Sequence, residues 1–122
     1  MFRFLSGVFI ALVFIPGPLV FAKRAAPKPV PPVSDEGVTY SAPNTVELMN
    51  YVVASDSSGK ELFRVKVFEV AFDPKLEKDV QWVFITDLKI ASDSLLVRDE
   101  KGRCFAVGRV THSVRRKYGC VF

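Results

Sequence analysis

Between residues 46 and 111 the chain is a succession of β-branched and aromatic runs cut by polar turns about every ten residues, and no run keeps the period of a helix. Such a pattern confines the fold to antiparallel sheet. Residues 46–54 and 62–72 are separated by Asp56-Ser57-Ser58-Gly59, where aspartate first and glycine last suit a type I turn followed by a residue at positive φ. Asp99-Glu100-Lys101-Gly102 has the same form. Within 62–72, Phe63, Val65 and Val67 share one parity and Phe68, Val70 and Phe72 the other, so a bulge or bend is expected at Val67–Phe68. Val80, Trp82, Phe84, Leu88 and Ile90 line one face of a third strand, and Val83 and Ile85 make its middle apolar on both sides. Residues 95–98 and 103–111 complete a five-stranded antiparallel meander, with Val65, Val67, Trp82, Phe84, Leu88, Val97 and Phe105 as its expected core. The charged connection 73–79, opened by Asp73-Pro74, has room for one helical turn.

The chain begins as exported chains do. Arg3 is followed by an apolar run over residues 4–15 and then by Pro16-Gly17-Pro18, the order of n-region, h-region and breaker. Val20-Phe21-Ala22 offers a cut after Ala22, with Ala25 and Ala26 as alternatives. The competing reading is an uncleaved membrane anchor, because residues 4–22 approach the span of a bilayer and Lys23, Arg24 and Lys28 follow as cytoplasmic flanks often do. The prolines and the short apolar core favour a cleaved signal peptide over 1–22 and a secreted or periplasmic product. No cysteine stands where a lipoprotein would need one.

A chain of 122 residues has room for one domain after a leader. Residues 25–33 carry four prolines and cannot join a helix, so residues 23–45 are expected to be a proline-rich spacer followed by loop, and residues 46–122 the β domain.

An offset of 43 residues aligns Asp56 with Asp99, Gly59 with Gly102, Lys60 with Arg103 and Leu62 with Phe105. The stretch Ala54-x-Asp56-x-Ser58-Gly59-Lys60-x-x-Phe63 resembles the blade motif of quinoprotein-like (PQQ-type) β-propellers, with Ser58 at the position of a threonine and Phe63 at that of a tryptophan. Residues 95–105 look like the inner hairpin of another blade. The resemblance covers residues 52–110 and implies blade-like sheet topology, with exposed edges that self-association would cover. A propeller needs four to eight blades and this chain has room for one or two, so neither a closed propeller nor quinone chemistry is implied. The whole chain also resembles small exported bacterial proteins of unassigned function.

Cys104 and Cys120 are the only cysteines, and in an exported chain they permit one disulfide. The alternative is two reduced thiols, with Cys104 a small residue beside Ala106 and Gly108. His112 is the only histidine; a surface role is expected, and a thiol-dependent enzyme would need Cys104 or Cys120 free beside it. The acids sit in turns, where aspartate is favoured by backbone hydrogen bonding alone, and no nucleophile-elbow, dinucleotide, Walker or zincin pattern occurs. Neither a catalytic centre nor a metal or cofactor site is expected.

The net charge is +4, and what matters is its distribution. Arg103, Arg109, Arg115, Arg116 and Lys117 fall within sixteen residues that hold no acid, and Tyr118 adjoins the last three. Arg109, Arg115, Arg116, Lys117 and Tyr118 are therefore the expected contact residues. Such a segment attracts polyanions in a salt-sensitive way; outside the cytoplasm these would be an anionic envelope glycan or lipid, with nucleic acid disfavoured. The expected function is an exported, non-catalytic structural or interaction domain engaging a partner protein or itself, with polyanion or cell-envelope binding as the alternative.

Overall fold

The computed structural model describes residues 26–122, so the expected leader and its cut after Ala22 lie outside the described residues. Eight strands follow: β1 (Val33–Asp35), β2 (Val38–Ser41), β3 (Tyr51–Ser55), β4 (Glu61–Lys66), β5 (Ile85–Ala91), β6 (Ser94–Asp99), β7 (Cys104–Gly108) and β8 (Val114–Lys117). They pair in chain order as two four-stranded antiparallel meanders, β1-β2-β3-β4 and β5-β6-β7-β8. The expected all-β antiparallel class is the one observed, with more strands than the five read from the sequence.

The first sheet starts inside the stretch read as spacer and loop. Glu36 (φ 52°) and Gly37 (φ 78°) form a two-residue link between β1 and β2; positive φ at both positions gives the turn whose twist matches that of the paired strands. Val33, Val38 and Tyr40 then pack with the core. Their alternation with Ser34 and Thr39 is a strand signal, but a short one placed directly after the prolines.

Three strand boundaries differ from the sequence reading, each because a side chain or turn captures the backbone. Thr45 accepts hydrogen bonds from the Leu48 amide through its carbonyl (3.1 Å) and its hydroxyl (3.2 Å). Residues 46–50 are accordingly a turn, and β3 begins at Tyr51. At the end of β4 the Val67 amide donates to the Asn50 carbonyl (2.8 Å) and Asn50 Nδ2 donates to the Phe68 carbonyl (2.6 Å). The strand stops there and both Val67 and Phe68 are buried, which is the bend expected at that point. The third expected strand is shortened to β5. Gln81 Nε2 donates to the carbonyls of Asp73 (3.1 Å), Leu76 (3.3 Å) and Glu77 (3.0 Å), and this knot leaves Asp79–Gln81 as a 3-10 turn with Val80 exposed.

Each sheet buries one face against the other. Tyr40, Val52, Ala54 and Val65 come from the first sheet, and Ile85, Leu95, Val97, Phe105 and Val107 from the second; burying such faces is the main favourable term in folding. Val65, Val67, Phe84, Val97 and Phe105 are buried as expected, whereas Trp82 and Leu88 are only half-buried. Phe68 stacks on Phe105 with ring centroids 5.5 Å apart. On the outer face of the second sheet, Leu96, Cys104 and Ala106 form a separate cluster with Ala91, Cys120 and Phe122. That cluster exists because Cys104 and Cys120 are joined by a disulfide, which folds the C-terminal residues back over the sheet. Lys89 Nζ donates to the Val121 carbonyl (3.0 Å) and the Arg98 guanidinium lies over the Phe122 ring (4.5 Å).

The two Asp-x-x-Gly turns are the same object. Gly59 and Gly102 adopt φ of 90° and 78°, a conformation that disfavours any Cβ. In one turn Asp56 Oδ1 accepts from the amides of Ser58 (2.9 Å) and Lys60 (3.0 Å); in the other Asp99 Oδ1 accepts from those of Lys101 (2.9 Å) and Arg103 (3.0 Å). The first turn joins the third and fourth strands of its sheet, the second joins the second and third of its own. The repeat is therefore one of hairpins and not of whole sheets.

Candidate functional site

The basic segment is built on the last hairpin. The Gly108 amide donates to the Ser113 carbonyl (2.8 Å) and the His112 amide to the Gly108 carbonyl (2.9 Å), so the chain reverses over residues 109–112 with His112 at φ 62°. His112 stacks on Phe63 across the two sheets, centroids 3.7 Å apart and planes 20° apart. β8 then pairs with β7 in the register Cys104↔Lys117, Phe105↔Arg116, Ala106↔Arg115 and Val107↔Val114. Among the described residues it has no neighbour on its other side; β8 is an edge strand.

The structure divides the five expected contact residues. Arg109 does not belong to the free basic surface: its Nε donates to the Tyr40 hydroxyl (3.2 Å), its Nη1 to the Ser92 carbonyl (2.8 Å), and its Nη2 pairs with Asp35 (2.9 Å). Only 11% of its side chain is exposed. The Tyr40 hydrogen bond first, and then Asp35, hold the guanidinium above the ordinary arginine range. Nothing near Arg109 in sequence announces this, because Asp35 and Tyr40 lie on β1 and β2, at the opposite end of the fold's sequence, and Ser92 lies in the turn between β5 and β6.

The other four residues remain together. Arg115 and Lys117 lie on the outer face with Ala106 and Cys104; Arg116 lies on the inner face with Phe105. The Arg116 guanidinium sits 5.7 Å from the Phe105 ring centroid and 4.8 Å from that of Tyr118, a cation–π position on both. Tyr118 is 77% exposed. The disulfide ties Cys120, just beyond, to Cys104 on the neighbouring strand, so the end of the edge strand is covalently held.

Ion pairing sets the two arginines of β8 apart from the other described arginines. Arg64 pairs with Glu61, Arg98 with Asp87, Arg103 with Asp99 and Arg109 with Asp35, at 2.7, 2.9, 2.7 and 2.9 Å. Among the described residues the two arginines without a carboxylate partner are neighbours on one edge strand, Arg115 and Arg116, and Lys117 beside them has none either. Arg103, which the sequence places in the same basic run, is neutralised by the buried Asp99. That pairing is an i, i+4 contact across a turn and could have been read from the turn motif.

Among the described residues, other chemistry finds no constellation. Both cysteine sulfurs are in the disulfide, so no thiolate stands beside His112. Among the described residues no three His, Cys, Asp or Glu side chains group as metal ligands, and no helix is long and apolar enough to cross a membrane. A concavity of about 590 Å³ is a groove where Pro27 and Lys28 run beside Val80, Phe84 and Ile85. Its walls are chiefly apolar. No protein-family model matches the chain, and comparison with curated proteins finds no match.

Proposed function

We propose that this chain is a non-catalytic interaction domain that acts outside the cytoplasm, secreted or periplasmic, and meets its partner through the basic edge strand β8. One observation carries the reading: Arg115, Arg116 and Lys117 are uncompensated on an unpaired edge while every other described arginine has its acid. Three adjacent like charges repel one another, and an anionic partner relieves that repulsion. The disulfide is compatible with an oxidising compartment, which supports the export reading of the leader. The blade-like resemblance remains a reading of topology: each meander has four strands, but the two Asp-x-x-Gly turns fall at different places in their sheets, and no quinone site is proposed. An anionic envelope glycan or lipid is the alternative partner, and nucleic acid is set aside because export separates it from the chain.

The test is retention on an anionic heparin resin at rising salt. The variant Arg115→Glu/Lys117→Glu is compared with Lys75→Glu/Lys78→Glu, which makes the same change of net charge on the exposed 73–79 connection. Earlier elution of the β8 variant than of its charge-matched control is expected. Equal elution would remove β8 as the contact surface.

A further inference from the structure

Resting on that reading of β8, we infer that the partner is an acidic, extended segment of another protein, which adds to the second sheet as a fifth strand beside β8. Two features favour a strand over a polyanionic glycan or a lipid surface. The first is the disposition of the charge. Arg115 and Lys117 point to one face of the sheet and Arg116 to the other, so no single flat surface can meet all three. A strand added at the edge can: its own side chains alternate between the same two faces, and three consecutive acidic residues opposite Arg115, Arg116 and Lys117 make cross-strand pairs on both.

The second feature is the direction of the backbone groups. The Gly108 amide bonds to the Ser113 carbonyl, and hydrogen-bonded pairs recur at every second position of an antiparallel ladder. In the observed register this assigns Ala106↔Arg115 and Cys104↔Lys117 to the bonded pairs. Val114 and Arg116 therefore turn their N–H and C=O groups outward, to the free edge. Main-chain bonds to those groups supply affinity, and the charge pattern selects the partner, the division of labour seen wherever a peptide augments a sheet. The Cys104–Cys120 bond fixes the end of β8 before binding, so less ordering entropy is lost on association. Exposed Tyr118, in the bend just beyond β8, extends the contact surface past the charges.

The experiment uses the full chain with its disulfide intact and three probes: a peptide with a Glu-Glu-Glu centre flanked by Val and Thr, the same peptide with proline at its centre, and heparin. Binding is measured by titration, and amide hydrogen exchange is followed residue by residue. The acidic peptide is expected to bind and to slow exchange of the Val114 and Arg116 amides by roughly tenfold or more, leaving those of Arg115 and Lys117, already bonded to β7, unchanged. The proline peptide is expected to fail, and Arg115→Glu/Lys117→Glu to weaken binding by about five- to tenfold. Heparin binding with no protection of Val114 and Arg116, and none from the peptide, would overturn strand addition while sparing β8 as a basic contact. Failure of both heparin and the acidic peptide would overturn both readings. Protection of those amides without any peptide, rising with protein concentration, would replace the acidic partner by a second copy of this chain.

Discussion

Arg109, one residue beyond β7, donates through Nε to the hydroxyl of Tyr40 on β2 at 3.2 Å, and so joins the two sheets by a charged hydrogen bond at the edge of their shared core. Tyr40→Phe keeps the ring and its burial and removes only the acceptor. Because a hydrogen bond to a charged group contributes more than a neutral one, a loss of about 1–2 kcal/mol is expected. Urea unfolding at unchanged m-value checks it; a midpoint equal to wild type would show that the link does not couple the sheets.

The disulfide closes a loop with a sequence separation of 16 residues that contains the whole β7–β8 hairpin. Replacing both cysteines by serine is expected to lower stability by about 3 kcal/mol from loop entropy alone, and to release the residues that cover Leu96 and Ala106. Thiol titration of the denatured, unreduced protein should return no free thiol.

Asp99 is buried and paired with Arg103, whereas Asp56, its counterpart 43 residues earlier, closes the same turn at the surface with Ser58. Asp99→Ala leaves two turn amides and a partly shielded guanidinium unpartnered, and about 2–3 kcal/mol of destabilisation is expected. Asp56→Ala should cost distinctly less. Parallel denaturant titrations of the two variants provide the comparison, and equal losses would mean that burial adds nothing to this turn.

The Asp56 carboxyl is held below the ordinary aspartate range, first by the Ser58 hydroxyl and then by the Lys60 amide. Its contribution to stability is therefore fully present above the unfolded value of about 3.9 and is lost as pH falls through the lower folded value. In Asp56→Asn the acid limb of the stability curve should be shallower below about pH 4, with no change in slope above it. Melting temperatures collected across that limb decide the matter.

Local order was legible in the sequence. Both Asp-x-x-Gly turns form as read because their hydrogen bonds span only four residues, from Asp56 to Lys60 and from Asp99 to Arg103, and each of the five expected strands overlaps one observed strand. The boundaries were less legible, since Asn50 and Gln81 end or shorten strands through side-chain bonds to carbonyls that no periodicity encodes.

The sequence by itself determined an all-β chain with repeated hairpin turns, two cysteines able to bond and a basic C-terminal segment, because each of these depends on residue type and short spacing. Only the tertiary structure decided which of those bases is free. Arg109 and Arg115 are the same residue six positions apart, yet sheet packing brings Asp35 and Tyr40 to the first and leaves the second on an edge with no acid in reach. A charge is compensated by its neighbours in space, and for Arg109 those neighbours are strands at the far end of the described chain.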